Sequence, residues 1–472
     1  MLSPLSEPGP ACTLEDQMNS RILPLVSLLF LLTASLYAQS REPYPNSATD
    51  RFIRLKTPMA PPPVNTMFTD PDFGSSMVRV TDEHTSYTYP MGYIRTEGSG
   101  NENVFSADTK KFYVISEGGA TLAFGFDPQT MRISSLPGAP PNSGLLVPLR
   151  PGTFSPTDPD LIYGTTNQSW LTISSYRFST GVRSTVIDTT TCGTNPRLVP
   201  GPGVTSGADD VSVSRDDTRF SISEGGPQFG KDMFIVVFDR KLGCRWYNTQ
   251  TGQIGGQWGA AGTASLPQRF LINHASLSKD GAYIKIAVDH AAGKYIWKVA
   301  TTNVVFCSDA PPTHCGGYGG GGTSHFVNGA GYGDEMNFLI RPFADITKIT
   351  PLVSPLPSPP QFGIQKHFSW TNANATDTNP ICGSTLRYYS FGVIDRPWDG
   401  EIICVETDGL ASTIWRFAHN RATADDEIFN TQPLGNTSPD GRFFIFTSDW
   451  DGQVGVDAHG APRSDAWIVK LQ

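Results

Sequence analysis

Charge is scarce in this sequence. Asp, Glu, Lys and Arg make up 17% of the 472 residues, too few for the ion-paired helices of a coiled coil. The 47 glycines and 38 prolines would also interrupt long helices throughout. The 35 basic residues are outnumbered by 44 acidic ones, for a net charge of −9, and they nowhere gather into a long run. No nucleic-acid partner is therefore expected, because phosphate recognition needs a basic face. Cysteine is limited to seven, with no Cys-x-x-Cys, which removes the usual zinc and thioredoxin-type motifs. The Gly-x-Ser-x-Gly elbow of an α/β-hydrolase is missing. The glycine run at 316–322 lacks the Gly-Lys-Ser/Thr of a phosphate-binding loop and reads as a flexible surface loop. What is plentiful is core material: 38% hydrophobic and 11% aromatic residues can bury a large interior, so disorder is excluded.

There is one long apolar run, from Ile22 to Leu36, preceded by Met18-Asn19-Ser20-Arg21 and followed by Tyr37-Ala38-Gln39. A single positive charge, a short apolar stretch and a small residue read as a secretory signal peptide over 18–38. The run is short for a membrane span, and the alternative is a retained N-terminal anchor. Residues 1–17 read as a mis-called start, 39–75 as an extended N-terminal segment and 76–472 as the folded domain. The expected mature product is secreted or periplasmic, has no membrane span and is a monomer. Export leaves six cysteines after Cys12 is discarded, and an even number in an oxidising compartment predicts disulfides. Fifteen connectivities are open. Proximity in sequence favours Cys192–Cys244, Cys307–Cys315 and Cys382–Cys404.

A short pattern recurs along the chain: an apolar residue, Ser, one or two residues, Asp, often Gly, then an apolar strand. It stands at Phe105-Ser106-Ala107-Asp108, Phe154-Ser155-Pro156-Thr157-Asp158, Val213-Ser214-Arg215-Asp216, Leu277-Ser278-Lys279-Asp280-Gly281 and Thr437-Ser438-Pro439-Asp440-Gly441. Weaker copies begin at His325 and His367. Ser and Asp open a tight turn by bonding their own backbone, and Gly accepts the positive φ that closes it. Repeats of roughly 40–65 residues, each a few strands with such turns, predict an all-β, seven-bladed β-propeller. The chain ends on Trp467-Ile468-Val469-Lys470-Leu471, a third-strand pattern with no fourth strand after it. The apolar stretch from Met77 to Asp82 is expected to complete that last blade, so that an N-terminal strand closes the ring and no edge is left open. The motif Ser-Pro-Asp-Gly-Arg-Phe-Phe-Ile-Phe-Thr-Ser-Asp at 438–449 and its weaker copies resemble the exported propellers of the TolB-like and YVTN-like kind, which carry WD40-like repeats.

Ligands of propellers usually sit at one mouth of the central channel, so residues just before the repeated turns are the candidates. His274, His325 and His367 fall there, with Asp209 and Asp210 in the third repeat, Glu102 in the first and Asn436 in the last. Three imidazoles, His274, His325 and His367, are a candidate divalent-metal set. His274 and His367, supported by Asp210, are candidates for general-base chemistry. The arrangement is similar to oligogalacturonate lyase, a seven-bladed family that cleaves uronic-acid polymers by β-elimination with a manganese site and a His base. The resemblance implies such roles for His274 and His367. The family's His-x-His before a late turn is replaced here by Leu434-Gly435-Asn436. Asp449 and Asp451 form a turn with a calcium-like pair of carboxylates but without EF-hand spacing. Arg416 is expected on a solvated outer strand. Two functions are expected from these readings: a polysaccharide lyase acting at the channel mouth on an extracellular polysaccharide, or a non-catalytic scaffold binding a protein or glycan partner. The cofactor expected for the first is a divalent metal such as manganese or calcium.

Overall fold

The computed structural model describes residues 43–472, apart from 86–92, 98–99, 167–168, 193–208, 226–231, 266–268, 289–292, 311–314, 316–318, 330–337, 354–367, 371–375, 386–393, 395, 409–412, 424–430 and 458–459. The predicted signal peptide lies outside these residues. The chain divides after Asn46 into two compact units, and the propeller belongs to the second, residues 47–472.

Seven antiparallel sheets succeed one another along the chain as the blades of a propeller. Their second strands are the strongest apolar runs. Phe443–Ser448 is buried at every position, and Lys111–Ser116, Leu161–Thr166 and Tyr283–Val288 are buried after their first residue. A blade packs on a neighbour through both faces, so its strands read as continuous apolar runs and not as an alternation. The core lies between blades, where aromatic pairs bridge successive sheets. Phe126 of blade 1 meets Phe443 of blade 7 at 5.1 Å, Tyr163 of blade 2 meets Phe220 of blade 3 at 4.9 Å, and Phe338 of blade 5 meets Phe368 of blade 6 at 4.6 Å.

The Ser-x-Asp turns form as expected and share one hydrogen-bond pattern. In blades 1, 3, 4 and 7 the Ser backbone N–H donates to the carbonyl five residues on. The Ser hydroxyl donates to the Asp carboxylate at 2.6–2.8 Å and accepts the N–H five residues on at 2.9–3.0 Å. The residue after Asp has positive φ: Gly281 at 70° and Gly441 at 71°, and Thr109 at 62° and Asp217 at 59° in the copies without glycine. Blade 2 carries one more residue in its turn, so Ser155 N–H reaches Leu161 O, six residues on.

Ring closure also forms as expected. Ser76–Arg79 pairs with Asp465–Lys470, the third strand of the last blade, and Met67–Thr69 adds an outer strand beyond it. All three disulfides favoured by proximity are present: Cys192–Cys244 between blades 2 and 3, Cys307–Cys315 between blade 4 and the approach to blade 5, and Cys382–Cys404 across two adjacent strands of blade 6.

Three expectations need correction. The described part of the glycine run, Gly319–Gly322, is not a surface excursion. Gly321 bridges Phe326, Val327 N–H donates to Gly320 O and Gly322 N–H to His325 O, so 320–322 occupy the innermost place of blade 5. Gly320 and Gly322 have no room for a side chain: a Cβ on Gly320 would lie 2.9 Å from Trp370 Cβ, and one on Gly322 2.2 Å from Asp377 Oδ1. His325 therefore begins the second strand of its blade, His325–Gly329, on the far side of the turn from the channel strand. Finally, Arg416 is fully buried, because residues 48–59 run over its strand. It is held by Glu401 at 2.7 and 2.8 Å and by Asp50 at 2.7 Å.

The channel is crossed from within. Between Ile94–Arg95 and Phe105, which bridges Phe112 of the same blade, residues 101–103 reach across to other blades. In the described part of this crossing, Asn101 reaches blades 4 and 5, Glu102 O accepts from Asn436 of blade 7, and Asn103 bonds Thr153 and Phe154 of blade 2.

Candidate functional site

The innermost strands end in the Ser-x-Asp turns, so the x residues of successive blades converge on the axis. They enclose a cavity of about 80 Å³ lined by Pro156, Arg215, Lys279, Gly321, Trp370 and Pro439, from blades 2 to 7 in order, with Asn101 and Asn103 of the crossing segment among its walls. The turns are chained by backbone bonds: Arg215 N–H donates to Lys279 O at 2.7 Å, and Lys279 N–H to Gly322 O at 2.9 Å.

Two cations face this cavity. Arg215 keeps a buried Nη1 that has no hydrogen-bond partner among the described residues. Lys279 Nζ lies 5.5 Å from the ring centroid of the buried Trp370, a cation–π distance. Neither forms an ion pair among the described residues. The Lys279 residue is partly exposed, but burial of its ammonium lowers its pKa to about 7. The Arg215 charge adds to the lowering and Asp377 opposes it. Unpaired cations in a half-desolvated cavity attract an anion of complementary shape.

His274 lies on the inner strand of blade 4, Ile272–Leu277, and is buried behind this cavity. Asn101 Oδ1 accepts from Gly321 N at 3.0 Å, so its amide nitrogen faces His274 Nε2 at 3.2 Å. In the neutral ring Nε2 is then the acceptor and Nδ1 carries the proton. His325 is occupied elsewhere: its Nδ1 lies 2.9 Å from Ser324 Oγ and 3.2 Å from Asp377 Oδ2. Asp377 also accepts backbone N–H groups of Thr323, Ser324 and His325 at 2.6–2.8 Å, clamping blade 6 to the blade 5 turn. Burial pushes the Asp377 pKa up, but these bonds outweigh it and hold the carboxyl below its ordinary value. His367 lies outside the described residues. Asp210 lies on the inner strand of blade 3, Asp209–Val213, with its side chain outside the described set.

Two of the three candidate imidazoles are described, and they are engaged with different partners, His274 with Asn101 and His325 with Asp377. Among the described residues no group of three or more His, Cys, Asp or Glu side chains gathers as a metal requires. The Asp449 and Asp451 carboxylates are likewise engaged, the first by Thr423 and the second by Lys56 and Arg421.

Arg215, Lys279 and Trp370 are not among the candidates that sequence reasoning selects. Their signal lies within the repeat: the turns read Ser-Ala-Asp, Ser-Pro-Thr-Asp, Ser-Arg-Asp, Ser-Lys-Asp and Ser-Pro-Asp, with cations at x in two adjacent blades.

No family model matches the chain, and no curated protein does. Among solved structures, it is similar to an oligogalacturonate lyase in complex with manganese, at 12% identity and a TM-score of 0.52, over 90% of this chain and 98% of that one. The oligogalacturonate lyase of Vibrio parahaemolyticus is 11% identical with a TM-score of 0.45, over 90% and 99% of the two chains. TolB from Acinetobacter baumannii is 13% identical with a TM-score of 0.31, over 59% and 60%. At these identities the likeness concerns the fold. Among the described residues no helix is long and apolar enough to cross a membrane. Three disulfides indicate an oxidising compartment.

Proposed function

We propose that this protein is an exported polysaccharide lyase that binds a uronic-acid-containing glycan at the axial cavity and cleaves it by β-elimination. One observation carries the reading: Arg215 and Lys279 face a shared cavity beside the buried ring of Trp370, with no carboxylate paired to either among the described residues. A guanidinium is the natural partner of a carboxylate. The solved structure similar to this chain at a TM-score of 0.52 is an oligogalacturonate lyase by name, which adds weight to an acidic sugar. Export agrees with the disulfides and with the predicted signal peptide.

The test is a screen of polygalacturonate, alginate and glucuronan for unsaturated chain ends, read by ultraviolet absorbance. Cleavage of at least one is expected, with about a hundredfold loss in Arg215→Ala, as for removal of a charge-stabilising donor. No product and no binding from any of them would overturn the reading.

A further inference from the structure

We infer that Lys279 is the base that removes the proton from C5 of the bound uronate and that Arg215 holds the carboxylate beside it, an assignment that rests on the lyase reading above. The two side chains leave equivalent positions of adjacent turns, and the Arg215 N–H to Lys279 O bond of 2.7 Å locks those turns together. Their chemistry divides the roles. A guanidinium does not give up its proton in a protein, so Arg215 neutralises charge and cannot act as a base, whereas a lysine amine can. The groups facing the Lys279 ammonium are Arg215 from blade 3, Asp377 from the turn of blade 6 and the ring of Trp370. Burial, reinforced by Arg215 and opposed by Asp377, brings its pKa to about 7. A free amine is therefore available near neutral pH, where a general base works best.

The step balances within the site. The neutral amine takes the C5 proton and becomes an ammonium. The electron pair of that C–H bond flows towards the carboxylate, whose enolate-like charge Arg215 stabilises. It then forms the C4–C5 double bond as the C4–O4 bond breaks. In a uronate whose C5–H and C4–O4 bonds lie on one face, as in glucuronan, the Lys279 ammonium gives its proton to the departing O4 oxygen, which leaves as an alcohol, and the free amine is restored. In polygalacturonate the two bonds lie on opposite faces, so water protonates O4 and the ammonium returns its proton to the solvent. The elimination is redox-neutral, so no oxidant or reductant enters the balance.

The test uses the full chain with oligosaccharides of polygalacturonate, alginate and glucuronan, and reads binding by calorimetry separately from turnover. Wild-type turnover should rise with pH through about 7 and then level off. Lys279→Met should lose a factor of about 10²–10⁴ in kcat, the usual contribution of a general base, while still binding the oligosaccharide. Lys279→Arg keeps the charge but cannot release a proton, so it should bind without turning over. Arg215→Lys should weaken binding and raise KM. Lys279→Met turning over at the wild-type rate would overturn the assignment while leaving the lyase reading intact. A wild type that binds the oligosaccharide without cleaving it would overturn the base role and leave an anion-binding propeller. A wild type that neither binds nor cleaves would overturn both readings.

Discussion

Glu224 closes the second strand of blade 3 with no exposure to solvent. Its Oε2 lies 3.0 Å from Thr189 Oγ1, while Asp232 and Asp188 add negative potential. Burial first, then these carboxylates, raise its pKa to about 8. A folded-state pKa above the unfolded value means that the folded chain holds the proton more tightly. That contribution to stability is complete at acid pH, below the unfolded carboxyl pKa, and is lost as pH rises through about 8. Glu224→Gln keeps the shape of the protonated acid. It should match wild type near pH 5 and exceed it at pH 9 by about 1–2 kcal/mol, a few degrees in Tm by calorimetry. At this scale the sequence is only partly legible. His274 reads as a channel residue because it lies on an inner strand before a recognisable turn. His325 reads wrongly because the strand before it is made of glycine, which has no side-chain pattern to read. Arg215 and Lys279 look like solvated turn residues until the turns are known to point at one axis.

The repeated turn is where sequence and structure agree most closely. One serine makes both links of the hairpin, so its removal should be felt. Ser438→Ala leaves the buried N–H of Phe443 without the hydroxyl that accepts it at 3.0 Å. It should cost about 1–3 kcal/mol in denaturant unfolding. Gly441→Ala, at a φ of 71°, should cost about 1–2 kcal/mol from the left-handed conformation alone. If Ser438→Ala left the unfolding midpoint unchanged, the turn would be a consequence of blade packing and not one of its causes. The hairpins and their order are legible because local backbone chemistry dictates them. The crossing of the lumen by the segment after Arg95 is not. Its partners lie on several other blades, and no local pattern encodes a contact of such sequence separation.

Around the whole ring, the closing strand is secured by charge as well as by pairing. Arg79 donates to Asp465 at 2.6 Å, and Arg463 reaches the other oxygen of the same carboxylate at 3.1 Å. Asp465 is completely buried, so Arg79→Ala strips one of two cationic partners from a desolvated charge. It should cost about 2–4 kcal/mol. Because the break falls at the seam, limited proteolysis should cut this variant first near residues 76–79. Seven-fold architecture and ring closure are both legible, since a third-strand pattern ends the chain and an orphan strand begins the domain. The covering of blade 6 by residues 48–59 is not, because Arg416 reads as an ordinary surface cation until Glu401 and Asp50 are placed around it.

The seam also sets an order of events during manufacture. The strand at 76–79 is among the first pieces of the domain to be made, and its partner at 465–470 is among the last. For the whole of synthesis the early strand has no edge to join, so the circle cannot shut until the strand at 465–470 arrives. Cys192–Cys244, Cys307–Cys315 and Cys382–Cys404 each join cysteines made close together, so each can form while the polypeptide is still emerging. They are fastenings for an arc that has to hold its shape before it becomes a ring.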